Sequence, residues 1–163
     1  MKNIDYELPN QNYCSLSFST DSTMLANISS NANTITVWET SNFSLRYHLD
    51  VTGDIISKIQ FAPNGKDLVL LTTSSKLKFY RLGSSSRDTE LIHIKDSYGI
   101  TDMECLDFQI SRNNRFIACA GKEGVIKVYD YFMRGEVIPS CQAFLGHFKN
   151  PKRLVIAKDM RHV

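Results

Sequence analysis

The chain has 163 residues, 42% of them apolar and 22% charged, which suits one folded domain with its own core and excludes a disordered tail or a fibre. No stretch approaches the roughly 20 apolar residues of a membrane span, and residues 1–7 lack the apolar core of a secretion signal. With 19 basic against 17 acidic side chains, the net charge of +2 does not by itself imply nucleic acid, and the chain reads as a soluble cytoplasmic domain.

The predicted elements come in groups. Residues 14–18 alternate apolar and polar side chains up to Phe18, as a half-buried strand does, and enter the turn Ser19-Thr20-Asp21-Ser22. A short apolar run over 24–28 follows, then a polar turn over 29–33, then a third strand over 35–38 that ends in Trp38. After Thr40-Ser41-Asn42, a fourth strand is predicted over 45–49. The second group repeats this order: 56–61 up to Phe61, the turn Ala62-Pro63-Asn64-Gly65, 68–71, a turn over 73–76, 77–80 ending in Tyr80, and 90–94. The third runs from 103 to Phe108, turns at Ser111-Arg112-Asn113-Asn114, and continues over 116–120 and 126–129 to Tyr129. A loop over 133–136 and a strand over 142–145 complete it.

The spacing argues against coincidence. Phe18, Phe61 and Phe108 recur after 43 and 47 residues, and Trp38, Tyr80 and Tyr129 after 42 and 49. Inside each group the distance from phenylalanine to terminal aromatic is 20, 19 or 21 residues, so the drift lies in the loop that follows. Hairpin turns are fixed by the strands they join, whereas surface loops tolerate insertion. No long window carries 3.6-residue periodicity. Four short antiparallel strands repeating every 40 to 50 residues describe an all-β propeller with one blade per group.

These residues resemble a WD-repeat β-propeller. The likeness rests on the Phe-Ser-x-Asp-Ser and Phe-Ala-Pro-Asn-Gly turns, the endings Val37-Trp38-Glu39 and Val128-Tyr129-Asp130, and the pair Gly146-His147. The resemblance implies an all-β, partial WD-repeat propeller with three four-stranded blades and the start of a fourth. Its segments are 1–12 as an extension, 13–50, 51–95 and 96–147 as blades, and 148–163 as the opening of another. Phe18, Trp38, Phe61, Tyr80, Phe108, Tyr129, Gly146 and His147 then hold structural repeat positions. The family's buried His–Ser/Thr–Trp network is incomplete in every group. Asn33, Ser75 and Glu123 stand where its turn aspartate would be sought, so apolar contact is expected to dominate between blades. Three blades cannot close a ring, and the expected partners include further blades of the same propeller. A narrower likeness, over residues 126–131 and 142–147, is to large centriolar and ciliary WD-repeat proteins. It implies a microtubule-associated role, with tubulin or other ciliary proteins as partners.

Catalysis finds little support in the residues. His48, His93, His147 and His162 are isolated, and no Walker loop, H-E-x-x-H or G-x-S-x-G occurs. Cys14, Cys105, Cys119 and Cys141 contain no C-x-x-C pair, which reads as reduced, structural thiols, with no metal and no cofactor. Residues 149–163 hold five cations against Asp159 alone, a local charge of +4, but no aromatic interleaves them, so nucleic acid is disfavoured. Tyr98, Phe148, Lys149, Lys152 and Arg153 are the candidate partner-binding residues. The loops Asp50-Val51-Thr52-Gly53, Ser97-Tyr98-Gly99 and Phe148-Lys149-Asn150-Pro151 are the candidate contact loops. The expectation is a non-catalytic protein-interaction scaffold. An adaptor in a nucleic-acid-associated or ubiquitin-ligase complex, and a propeller hydrolase, are the alternatives.

Overall fold

A computed structural model describes residues 15–29, 33–83, 91–96, 104–132, 136–145 and 153–156. Among the described residues, twelve strands lie in three antiparallel sheets of four, each a simple meander. The first sheet holds β1 (Leu16–Phe18), β2 (Met24–Ile28), β3 (Thr34–Glu39) and β4 (Leu45–Asp50). β5 (Ile56–Phe61), β6 (Asp67–Thr72), β7 (Leu77–Leu82) and β8 (Leu91–Asp96) form the second. The third contains β9 (Cys105–Ile110), β10 (Phe116–Gly121), β11 (Val125–Phe132) and β12 (Glu136–Leu145), with a 3-10 turn at Lys122–Gly124. These are the predicted strands, with one correction. The last begins at Glu136, inside what reads in sequence as a loop, because β11 runs on to Phe132 and supplies partners Asp130↔Ile138 and Phe132↔Glu136. Pro139 adjoins a register shift in this ladder, where a missing N–H is tolerated.

The sheets stack face to face with β1, β5 and β9 innermost. Alternation along each strand decides which side chains meet. Ala26, Ile28, Ile35, Val37 and Tyr47 of the first sheet pack against Ile59, Phe61, Leu68, Leu70 and Tyr80 of the second. The other face of the second sheet, with Val69, Leu71, Leu77 and Phe79, meets Phe108, Ile110, Ile117, Cys119 and Tyr129 of the third. Beyond the third sheet, Ala118, Ala120 and Ile126 bury Leu154. Phe61 and Tyr80 of the second sheet and Phe108 and Tyr129 of the third thus face the preceding sheet. Residues 153–156, within the segment expected to open another blade, pack here and carry no strand assignment.

One turn design occurs three times. Ser22, Gly65 and Asn114 occupy corresponding positions at φ of 60°, 68° and 59°, the left-handed region. Three residues before the strand that follows, a side-chain oxygen closes the turn. Asp21 accepts Thr23 N–H at 3.0 Å, Asn64 accepts Lys66 N–H at 2.9 Å and Asn113 accepts Arg115 N–H at 3.1 Å. Ser19 and Ser111 hydroxyls donate to those acceptors at 2.6 and 2.7 Å in the first and third turns.

Candidate interaction surfaces

The equivalent phenylalanines differ sharply in exposure: Phe18 is 60% exposed, Phe61 4% and Phe108 0%. Two residues earlier, Leu16 is 61% exposed where Ile59 is 1%. Phe61 and Phe108 face the preceding sheet, and among the described residues no sheet precedes the first, so the corresponding face that carries Phe18 is uncovered. Leu25 and Trp38 share this open face with Leu16 and Phe18. Leu45, also exposed, pairs in register with Trp38. Polar groups on it are tied together: Trp38 Nε1–H donates to Asn27 Oδ1 at 3.0 Å and to Thr36 Oγ1 at 3.2 Å, and the Thr36 hydroxyl donates to Asn27. The tryptophan therefore keeps a hydrogen-bonded position with Asn27 as acceptor, which the sequence reading did not foresee.

Between sheets, polar contacts supplement apolar packing. Lys58 on β5 ion-pairs with the buried Asp107 on β9, donates to the Phe108 carbonyl at 2.6 Å and lies 5.1 Å from the Phe108 ring centroid. Asp107 also accepts the Leu154 N–H at 2.6 Å, so one carboxylate joins the second sheet, the third sheet and the segment beyond. Ser75 Oγ accepts the Cys105 N–H at 3.0 Å, while Ser15 and Ser17 hydroxyls accept the Ile59 and Phe61 N–H groups at 3.1 and 2.8 Å. At the end opposite the Ser22 turn, the loop Asp50-Val51-Thr52-Gly53 lines a cavity of about 640 Å³ with Asn33, Asp54, Ile55, Thr73 and Ser74. Asp54 is held there by Lys78 Nζ at 2.8 Å and by Ser74 at 2.8 Å, and the Lys78 hydrogen bond lowers its pKa.

Arg153 is exposed beside buried Leu154. Tyr98, Gly146, His147, Phe148, Lys149 and Lys152 lie outside the described residues. His48 is exposed, 3.7 Å from Asp50. Cys105 and Cys119 are buried free thiols, and the Cys105 contact together with burial pushes the Cys119 thiol well above its ordinary range. Among the described residues, no group of three His, Cys, Asp or Glu side chains could hold a metal ion.

Stacked four-stranded meanders with their first strands innermost are blades of a β-propeller, and the chain has the fold of a partial WD-repeat propeller. No protein-family profile matches the sequence, and no curated protein matches it either. Among solved structures it is similar to the Cps50 (Swd1) β-propeller domain of Myceliophteria thermophila, with a TM-score of 0.63 at 9% identity. The match covers 83% of this chain and 44% of that one, so the chain spans under half of the propeller domain it resembles.

Proposed function

We propose that this chain is a section of a WD-repeat propeller that works as a non-catalytic protein-interaction scaffold, with the open face of the first sheet receiving a further blade. The observation that carries it is the exposure of Phe18 where Phe61 and Phe108 are buried. Covering Phe18 and Leu16 as Phe61 and Ile59 are covered would contribute about 1.5–3 kcal/mol per side chain. Rigid blades present their loops in fixed relative positions, which lowers the ordering cost when a partner binds. The test is bis-ANS fluorescence of the chain with and without its natural assembly. Strong dye binding that Phe18→Ser reduces, and that assembly suppresses, is expected; binding indifferent to Phe18 overturns the reading.

The finer proposal is a microtubule-associated role in a cilium, axoneme or basal body, with tubulin as partner. Its support is the likeness of residues 126–131 and 142–147 to ciliary WD-repeat proteins, together with the local charge of +4 over 149–163, which suits acidic tubulin tails. Co-sedimentation with microtubules, lost when the tubulin tails are removed by limited proteolysis, is expected. Retention on nucleic acid instead would favour the adaptor alternative.

A further inference from the structure

The end of the fold that carries the three repeated turns holds a groove of about 900 Å³ between the first and second sheets. Its walls come from the Ser22 turn, the β3–β4 turn, the Gly65 turn and the end of β7, and Met24, Tyr47 and Leu82 contribute apolar surface. Charge is uneven within it. Among the described residues, Arg46, Lys66 and Arg81 line the groove against one lining carboxylate, Glu39. Glu39 takes Arg46 at 3.3 Å, and the buried Asp67 takes Arg81 through Nε at 2.8 Å and Nη2 at 3.3 Å. The Lys66 ammonium has no partner among the described residues, and neither do the hydroxyls of Ser22 and Ser41. The uncommitted groups therefore comprise a cation and two hydroxyls that can donate, beside two arginines that are each paired with a carboxylate. An ionised carboxylate, which accepts and cannot donate, is the complementary group.

From this charge complementarity we infer that the groove binds a short extended peptide segment with alternating acidic and apolar side chains. The acidic groups lie on Lys66 and Arg46, Ser22 and Ser41 donate to them, and the apolar side chains rest on Met24 and Leu82. Stacking of nucleobases is disfavoured because Tyr47, the one aromatic of the lining among the described residues, is buried and its hydroxyl donates to the Gly83 carbonyl at 3.3 Å. The site is separate from the open face of the first sheet, so its occupancy does not depend on what covers that face.

The test is fluorescence anisotropy on the full chain with a fluorescein-labelled peptide of sequence Glu-Leu-Glu-Leu-Glu-Leu, alongside versions with lysine or with phosphoserine in place of glutamate. Lys66→Glu is expected to weaken the glutamate peptide by about tenfold. Arg46→Gln is expected to weaken it by about threefold. Glu39→Gln removes a competing carboxylate and is expected to tighten binding by about twofold. Higher salt weakens all of it. Lys66 is exposed, so Lys66→Glu leaves the melting temperature in place and reads binding alone. Undiminished binding by Lys66→Glu, or equal binding of the lysine peptide, overturns the inference. Tighter binding of the phosphoserine peptide overturns the choice of carboxylate as the recognised group.

Discussion

Lys58 and Asp107, 49 residues apart in sequence, form an ion pair that crosses from the second sheet to the third, and the same carboxylate receives the Leu154 N–H. Asp107 also accepts its neighbouring Phe108 N–H at 2.9 Å, so three donors converge on it. Removing it strands a partly buried ammonium and two backbone donors. Asp107→Ala is expected to cost about 3–5 kcal/mol in urea unfolding, the range for breaking a buried pair from one side. Lys58→Met is expected to cost less, because Asp107 retains its two N–H donors. Equal losses would show that the pair, rather than the convergence on Asp107, carries the stability.

The repeat phenylalanines give a graded series. Phe108→Ala and Phe61→Ala each empty a filled interface and are expected to cost about 3–5 kcal/mol. Phe18→Ala, on the open face, is expected to cost under about 1 kcal/mol in the isolated chain. Chemical denaturation of the three variants measures the contrast, and a large cost at Phe18 would mean that its face is already covered.

Backbone conformation at the repeated turns makes a third expectation. Gly65 sits at φ +68° with nothing within 4 Å of a Cβ added there, so Gly65→Ala meets conformational cost alone, about 1 kcal/mol. Ser22 holds the corresponding conformation with a side chain, and Ser22→Gly is expected to be neutral or stabilising by a few tenths of a kcal/mol. Thermal melts should fall for Gly65→Ala and hold or rise slightly for Ser22→Gly.

Acid should act through two aspartates. Hydrogen bonds from Ser19 and Thr23 hold the Asp21 carboxyl at a pKa of about 2 instead of 3.8, and an NMR titration of its side chain should show that midpoint. Asp54 is also lowered, first by the Lys78 hydrogen bond. For a depressed carboxylate the stabilisation is fully present above the unfolded value near 3.8 and is lost as pH falls through the folded value. Asp54→Asn should therefore lower stability at neutral pH and flatten its decline on acidification below 3.8. A variant whose acid limb matches the parent would assign that decline to other groups.

Most strands were legible because half-buried strands advertise themselves by alternation, and the turns because Asn64-Gly65 and Asn113-Asn114 favour the left-handed region. What escaped was register and distance. Leu106 alternates correctly in sequence yet is exposed, because a register shift between Ala120 and Gly121 lets Cys105 take the inward place. Lys58 and Asp107 carry no local sign of one another. Arg46, Lys66 and Arg81 lie on separate strands and turns, so their groove was invisible until the sheets were stacked. Asn27 looked like an ordinary polar residue in an apolar run, and only the pairing Asn27↔Thr36 sets it beside the Trp38 indole.

Ser17 in β1 and Ser15 just before it have one more effect. Ser15 and Ser17 engage the backbone N–H groups along the inner edge of β5, so that border is satisfied by a neighbour's hydroxyls and offers no ladder to a stray strand. Sealing of this kind separates two hazards that usually travel together: the greasy flank of the first sheet carries Leu16 and Phe18 in the open, while this edge of β5 stays closed to fibril-like extension.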